Sequence, residues 1–409
     1  MAVSVFVAVF VWTLSWLGPA PIQNAALPNP HPSAVSAAEP RPPSGQAYVG
    51  DSACRSCHAE ESKAYPETSH HLTSRLPSEQ SIAGKFSSGA NLLRTSNPDL
   101  TFEMSAAKDG YFETAVEKEE KQEKLAPSKK NTHTERIDLV VGSGRKGQSY
   151  LFWKDDTLFE LPVSYWTELD NWINSPGYPD GTPHFDKAVV PRCLECHASY
   201  FGWVPPPLNR YDKASLILGI TCEKCHGPGR EHVALYRAKN APPSGTATAI
   251  LNPASFPRDR QISACALCHA GAAKAKGPPL SFVPGEPIDQ YLFIPFPDKN
   301  MPVDVHGNQI QLLATSRCFQ SSPMTCTTCH NVHKPQRDAA AFSEHCLSCH
   351  EAKACGRYPQ LGAAIAKNCI DCHMPVQESE ALVSDTNGRK LRPLVRNHRI
   401  GIYPAESVH

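Results

Sequence analysis

The chain has 409 residues, with 40 basic and 40 acidic side chains, so its formal net charge at neutral pH is zero. This balance gives no case for nucleic-acid binding, which needs a basic stripe, and none for a polybasic patch that binds a membrane surface. Hydrophobic residues make up only 41% of the chain, and 38 prolines disfavour long helices and a large sheet core. Sixteen cysteines and 18 histidines indicate that bound groups fill part of the interior.

The chain begins with a targeting pattern. Residues 3–17 are almost entirely apolar, and residues 19–45 are rich in Pro, Ala and Ser, a linker composition. The apolar run fits the core of a secretion signal better than a spanning helix of about 20 residues. An uncleaved anchor that associates with a membrane is the alternative. We therefore assign residues 1–46 to a signal or anchor plus linker, and we predict a periplasmic or otherwise exported protein.

Fourteen of the cysteines fall in seven copies of Cys-x-x-Cys-His, the signature of covalent c-type haem attachment. Two thiols three positions apart on one helical turn can each bond a haem vinyl group, and the adjacent His can ligate the iron. Zinc sites, thioredoxin-like pairs and disulfide frameworks do not require a His after every second Cys. The sequence therefore predicts seven haem c groups, each with an iron. Motifs 1 to 7 are Cys54/Cys57/His58, Cys193/Cys196/His197, Cys222/Cys225/His226, Cys265/Cys268/His269, Cys326/Cys329/His330, Cys346/Cys349/His350 and Cys369/Cys372/His373.

The stretch between motifs 1 and 2 has a strand-forming pattern. Residues 100–117 alternate between apolar and polar side chains around an Asp-Gly pair, which predicts a β-hairpin. Residues 117–136 are highly charged and predict an exposed loop, and three further short strands follow within residues 137–163. Residues 164–173 carry two tryptophans and predict either a core helix or a segment packed beside a haem. We therefore assign residues 99–175 to a β-rich insertion.

The flanking regions carry the haem motifs on short elements. Residues 47–98 hold motif 1 and form the predicted first haem-binding module. Residues 176–409 hold the other six motifs, on short helices joined by Pro/Gly loops, and form the predicted six-haem domain. Haem groups would supply much of the hydrophobic interior there. The predicted fold is therefore mainly α, a loop-rich multihaem cytochrome c fold with a small antiparallel β insertion.

The second axial ligand determines what each haem can do. An iron with His or Met in both positions carries electrons, whereas an open position can bind a substrate. Methionine is scarce beyond the N-terminus, so we predict mostly bis-His haems. His345 could ligate a neighbouring haem or lie exposed, and His133 in the charged stretch is expected to be solvated. The candidate second ligands are His70, His71, His184, His232, His306, His333 and His398.

Two cysteines, Cys318 and Cys355, lie outside the motifs. In an exported chain they could form a disulfide. A buried free thiol is the second interpretation, and an axial thiolate from Cys318 is a third.

Several sequence blocks resemble the cytochrome c-554 (c-552/4) multihaem family. The segment from Tyr48 to His58, followed by Ser69-His-His, is similar to the start of that family, and the run from Cys222 to His232 is similar to its second landmark. Further similar blocks lie at residues 325–333, 369–375 and 397–400.

The resemblance implies a mostly α-helical fold around stacked haem pairs. It also implies distal ligands at His70 or His71, His232, His333 and His398. The chain lacks two features of the family's catalytic members, a Cys-x-x-Cys-Lys site and a tyrosine placed as a haem cross-link. These departures disfavour a catalytic role in the nitrogen cycle.

The motifs and the ligand supply favour an exported heptahaem electron-transfer protein, with unidentified redox partner proteins as donor and acceptor. The alternative is a multihaem oxidoreductase with one open haem that acts on a small nitrogen or sulfur oxyanion, so enzymatic activity stays an open question. A third interpretation is a haem-based binding module that docks through the β insertion. A five-coordinate haem would distinguish the second hypothesis from the first.

Overall fold

The computed structural model describes residues 45–118, 130–243, 249–271 and 273–404. Of these residues, 29% are helical and 25% lie in strands, so the prediction of a mainly α fold was wrong. The helices are only one to three turns long, and some of them end at a glycine, such as Gly227 after α4 and Gly362 after α10. Runs of β-branched and aromatic residues pair into antiparallel sheets. The predicted signal or anchor, with nearly all of its linker, lies outside the described residues. Among those that are described, no helix is long and apolar enough to cross a membrane.

The helices of the described ranges are short and scattered along the chain. The α-helices are Asp51–Arg55 (α1), Ala59–Ala64 (α2), Pro191–His197 (α3), Cys222–His226 (α4), Arg230–Arg237 (α5), Arg258–His269 (α6), Gln309–Ala314 (α7), Arg317–Gln320 (α8), Ala339–Leu347 (α9), Tyr358–Leu361 (α10) and Cys369–His373 (α11). Single turns of 3-10 helix lie between them at Gly45–Ala47, Tyr65–Glu67, His71–Thr73, Pro253–Ser255, Ile288–Gln290, Cys326–Thr328 and Ala352–Ala354, with a longer one at Gly362–Lys367.

The strands are concentrated between motif 1 and motif 3. They are Ser74–Arg75 (β1), Leu92–Arg94 (β2), Leu100–Ala107 (β3), Gly110–Lys118 (β4), Lys130–Arg136 (β5), Leu139–Val141 (β6), Gly147–Lys154 (β7), Thr157–Glu160 (β8), Val163–Trp166 (β9), Asn171–Asn174 (β10), Lys187–Ala188 (β11), Ala198–Trp203 (β12), Tyr211–Leu218 (β13), Lys274–Ala275 (β14), Leu292–Phe293 (β15), Val376–Glu378 (β16), Ser384–Thr386 (β17), Arg389–Leu391 (β18) and Leu394–Arg396 (β19).

A four-stranded antiparallel sheet has the order β2-β3-β4-β5. Strands β3 and β4 form the predicted hairpin, with Ala107 opposite Gly110 across the turn. The prediction of an exposed loop over residues 117–136 was wrong at its C-terminal end, because residues 130–136 form β5 and pair with β4. Two threonines in β5 favour a strand, and the open edge of β4 supplies its hydrogen-bond partners. Residues 119–129 lie outside the described part of the chain.

The second sheet has seven strands, with β1-β6-β7-β8-β11 along its main path and β9 bridging β7 to β10. Because β1 follows motif 1, its pairing with β6 ties the first haem module to the sheet. Neither prediction for residues 164–173 was right for Trp172, which lies in β10 and is fully buried in the protein core. Its indole Nε1 donates to the carbonyl oxygens of Lys85 (3.1 Å) and Ala90 (3.0 Å), which satisfies its polar atom inside the core.

The C-terminal part contains motifs 4 to 7 on short helices and six small strands, β14 to β19. These strands form three ladders, β14 with β15, β16 with β19 and β17 with β18. The β17–β18 hairpin docks on the seven-stranded sheet at β10. There the backbone N–H of Asn174 donates to Thr386 Oγ1 (2.9 Å), and its side-chain Nδ2–H donates to the Asp385 carbonyl (2.6 Å). These bonds fix the C-terminal motifs against the β-rich region.

Candidate haem-binding site

The cysteines and histidines of all seven motifs line one continuous cavity of about 4460 Å³. Protein interiors pack as densely as organic crystals, and pockets for single small ligands measure about 300–1,000 Å³. A folded chain therefore holds a space of this size only if other groups fill it. Apolar walls with 14 thiols facing the space fit several covalently attached macrocycles, so the cavity fits the predicted haem groups.

Each motif forms a tight turn that places its Cys and His together. In motif 1 the amides of Cys57 and His58 both donate to the Cys54 carbonyl, at 3.1 and 2.9 Å. The same bond from the His amide to the first Cys carbonyl measures 3.0 Å in motifs 5 and 6. Local caps support these turns, such as Asn368, whose side chain accepts from the Asp371 amide before motif 7. Seven short turns thus present their thiols to one space.

Four motif histidines face a histidine from outside the motifs across this space. An imidazole nitrogen lies about 2.0 Å from a bound first-row metal ion and about 1.1 Å from its ring centre, so two imidazoles on opposite sides of one metal have centres about 6.2 Å apart. The observed separations lie within 0.2 Å of that value. The pairs are His58 with His232 (6.4 Å), His226 with His333 (6.1 Å), His269 with His70 (6.1 Å) and His330 with His398 (6.3 Å).

The ring nitrogens are set up for metal binding. The Nδ1 atoms of His226 and His373 lie 2.8 and 2.7 Å from the carbonyl oxygens of Leu251 and Gly401. A carbonyl only accepts, so Nδ1 carries the proton and Nε2 keeps a lone pair for a metal. Desolvation by burial lowers the pKa of His70 and that of His398 to about 4. Both imidazoles are therefore neutral at neutral pH, as a ligand must be.

Comparisons with known proteins indicate the class of protein. Residues 177–227, which include motifs 2 and 3, match the sequence profile of the family described as cytochrome c554 and c-prime. The chain is a multihaem c-type cytochrome. The fold is similar to that of the outer cell wall cytochrome OcwA, with a TM-score of 0.52 and 17% identity over 85% of this chain and 82% of that one.

A second solved structure, the undecahaem cytochrome from the S-layer of Carboxydothermus ferrireducens, aligns with 17% identity and a TM-score of 0.41. That alignment covers 88% of this cytochrome and 53% of the other chain. None of the curated proteins matches this sequence. Because the identity to OcwA is only 17%, the likeness to that protein is one of fold alone.

The motifs of this cytochrome contact one another in a defined order. In four pairs of thiols from different motifs, one thiol shifts the pKa of the other, and the turns that carry them are in contact. Weaker electrostatic coupling links motif 3 to motif 4 and motif 5 to motif 6. The resulting order is 1-3-4-5-6-7, with motif 2 beside motif 4. The four pairs are Cys54 with Cys222, Cys196 with Cys268, Cys265 with Cys326, and Cys346 with Cys369.

The other candidate histidines of the cytochrome fall into two groups. His306 and His345 line the cavity, and His306 lies close enough to His197 of motif 2 to contribute to lowering its pKa. Three other histidines of the described ranges do not line the cavity. His71 pairs with Asp51, His133 pairs with Glu135 and stacks on Phe185, and His184 has no ring contact in the described ranges.

Sequence reasoning missed the role of the buried acidic residue inside motif 3. Glu223 of motif 3 is buried, and its carboxylate accepts from the amides of Val49 (2.9 Å), Gly50 (2.8 Å) and Gly229 (2.8 Å). This residue ties motif 3 to the segment that precedes motif 1.

The two cysteines outside the motifs are free thiols in the structure, so the disulfide interpretation gains no support. Both line the cavity, and Cys318 lies near enough to Cys329 and Cys346 to raise the pKa of each. Trp166, unlike Trp172, also lines the cavity, as expected for a residue beside a haem.

Proposed function

We propose that this cytochrome is an exported heptahaem electron carrier, with one haem c attached at each motif and mostly bis-His ligation. The four histidine pairs carry the proposal, because each joins a motif histidine to a histidine far away in sequence at the separation that one iron requires. Chance contacts would also pair motif histidines with each other, and the ring contacts of the described residues include no such pair. A haem c held by two imidazoles supplies reversible one-electron transfer.

The chain's own residues would hold the groups in series. Motif thiols fix each macrocycle, the motif histidine ligates one side, and the paired histidine closes the other side to substrates. Because the motif turns contact one another in the order 1-3-4-5-6-7, motif 1 would lie at one end of the series and motif 7 at the other, with motif 2 as a branch at motif 4. Redox partner proteins would then exchange electrons at these three positions.

Export is the second part of the proposal. It rests on the apolar pattern of residues 3–17 and on the seven haem-attachment motifs, because haem is attached covalently to such cysteines outside the cytoplasm. The names of the two similar structures place those proteins in an outer cell wall and an S-layer. The location would be periplasmic or further outside, with the segment at 3–17 either cleaved or retained as an anchor.

The experiment that tests the proposal is a haem count on the mature protein, by intact mass and by the pyridine haemochrome assay. We expect seven haems per chain and an N-terminus beyond residue 17 if the signal is cleaved. Substitution of Cys372 and His373 by Ala should reduce the count to six without changing the other attachments. A wild-type count below seven would contradict the heptahaem assignment.

A further inference from the structure

Motifs 2 and 4 contact each other reciprocally. The Cys196 sulfur of motif 2 lies 3.9 Å from the carbonyl oxygen of Leu267, the residue before Cys268. The Cys268 sulfur of motif 4 lies 3.9 Å from the carbonyl oxygen of Glu195, the residue before Cys196. Helices α3 and α6, which carry the two motifs, are in contact. The two attachment turns therefore face each other as equivalent partners.

The motif 2 histidine is supported from the segment that ligates the neighbouring haem. The Nδ1 atom of His197 lies 2.8 Å from Thr73 Oγ1. Thr73 follows His70 by three positions, and His70 is the histidine that faces His269 of motif 4. The segment that supplies the second ligand of motif 4 thus also supports the histidine of motif 2.

The motif 4 histidine has the matching support, with the roles exchanged. Gln309 Oε1 lies 3.3 Å from the Nδ1 atom of His269, and Gln309 follows His306 by three positions. Gly307 brings this loop directly onto motif 4, because a Cβ atom there would lie 3.2 Å from the Cα atom of His269. The exchange of roles assigns His306, which lines the cavity, to the iron of motif 2.

Asp304 distinguishes His306 from the other cavity histidines. The Asp304 carboxylate oxygen Oδ1 accepts from the His306 backbone amide (2.8 Å) and lies 3.0 Å from His306 Nδ1. Asp304 is buried, and its own amide donates to Asn308 Oδ1 (3.1 Å), which fixes the turn. A carboxylate that accepts from Nδ1–H orients the ring, leaves Nε2 for the metal and makes the imidazole a stronger donor. The Nδ1 atoms of four other cavity histidines face neutral oxygens instead: His226, His269, His373 and His398.

We propose that Asp304 holds His306 as the second ligand of the motif 2 iron and lowers the reduction potential of that haem below that of motif 4. This inference rests on the proposed function, because it requires a haem at both motifs. A stronger donor and a nearby negative charge stabilise ferric iron more than ferrous iron. Electrons at motif 2 would therefore pass on to motif 4, which makes the branch a place where electrons enter the series.

The variant Asp304→Asn tests the role of the charge, because the amide keeps an oxygen acceptor at the same place. The measurement is a potentiometric titration followed by the Soret band and by low-temperature EPR. We expect one midpoint potential to rise while all haems stay low-spin. At a fixed potential the reduced-to-oxidised ratio of that haem should increase about tenfold, which is about 59 mV for a one-electron couple. The control Asp298→Asn changes an exposed carboxylate of the same loop and should shift no potential.

Two further variants test the assignment independently. Gln309→Glu places a carboxylate beside His269 and should lower one midpoint potential, the opposite direction to Asp304→Asn. His306→Ala should convert one haem from low-spin to high-spin with all seven still attached.

Three results would overturn the inference in a protein with seven haems. They are unchanged potentials in either charge variant, a high-spin haem in Asp304→Asn, and unchanged low-spin signals in His306→Ala. A wild-type count below seven haems would instead refute the proposed function, so the two failures are distinguishable.

Discussion

The imidazole rings of His226 and His333 lie 6.1 Å apart with their planes 18° from parallel, although 107 positions separate them in the sequence. Tyr65 packs near His333, with ring centres 6.3 Å apart, and its hydroxyl donates to the Ile220 carbonyl at 2.6 Å. The contact with His333 and the bond to Ile220, two residues before motif 3, hold the two imidazoles across one gap. Such an arrangement is expected where both rings ligate one iron.

Substitution of His333 by Ala should open the iron that His226 and His333 are proposed to share. The motif histidine His226 would keep its bond to the Leu251 carbonyl, so the haem would stay attached while its second position becomes vacant. We expect one additional high-spin ferric signal in low-temperature EPR and one additional CO bound on reduction. His133→Ala, at a position paired with Glu135, is the control and should change neither readout. Unchanged EPR in His333→Ala would show that His333 is not a ligand.

The ring planes predict different EPR signals for different haems. The planes of His70 and His269 differ by 72°, whereas those of His58 and His232 differ by 27°. Near-perpendicular axial imidazoles leave two iron d orbitals nearly equal in energy, so that haem should have the most anisotropic low-spin signal. We expect His70→Ala to remove this signal and His232→Ala to leave it. Retention of the signal in His70→Ala would assign it to another haem.

The sequence predicted the local part of this site better than its long-range part. Five consecutive residues determine a motif turn, and an alternating pattern around a tight turn determines the β3–β4 hairpin. The pairing of His70 with His269 spans 199 positions and depends on how the sheets and helices pack, which no local pattern records. For the same reason the sequence did not distinguish His70 from His71, whose ring instead pairs with Asp51. The strand content was underestimated because β12 begins directly after a motif helix, within the region predicted as helices and loops.

Removal of the Glu223 carboxylate should weaken the junction between motifs 1 and 3. Its three amide donors would lose a charged acceptor in a buried place, and each such bond contributes about 1.5–3 kcal/mol. We expect Glu223→Ala to lower the free energy of unfolding by about 3 kcal/mol or more, measured by urea unfolding with circular dichroism. Glu231→Ala, at an exposed position of α5, is the matched control and should cost less than about 1 kcal/mol. Equal effects of both substitutions would contradict this role for Glu223.

The buried carboxyl of Glu113 should make stability depend on pH. Both oxygens lack a well-aligned hydrogen-bond partner, and desolvation by burial raises the pKa of Glu113 well above its ordinary value. The folded state therefore favours the protonated form. Its stabilising contribution is complete below the unfolded-state pKa and is lost as the pH rises through the folded-state pKa.

Substitution of Glu113 by Gln should remove this pH dependence and raise the free energy of unfolding at pH 8 by about 1–3 kcal/mol, since a charged group no longer has to be buried. The measurement is urea unfolding between pH 4 and pH 8. Glu103→Gln, which changes an exposed carboxyl on the neighbouring strand β3, is the control and should leave the pH profile unchanged. If wild type and Glu113→Gln lose stability equally between these pH values, Glu113 is not the group that titrates.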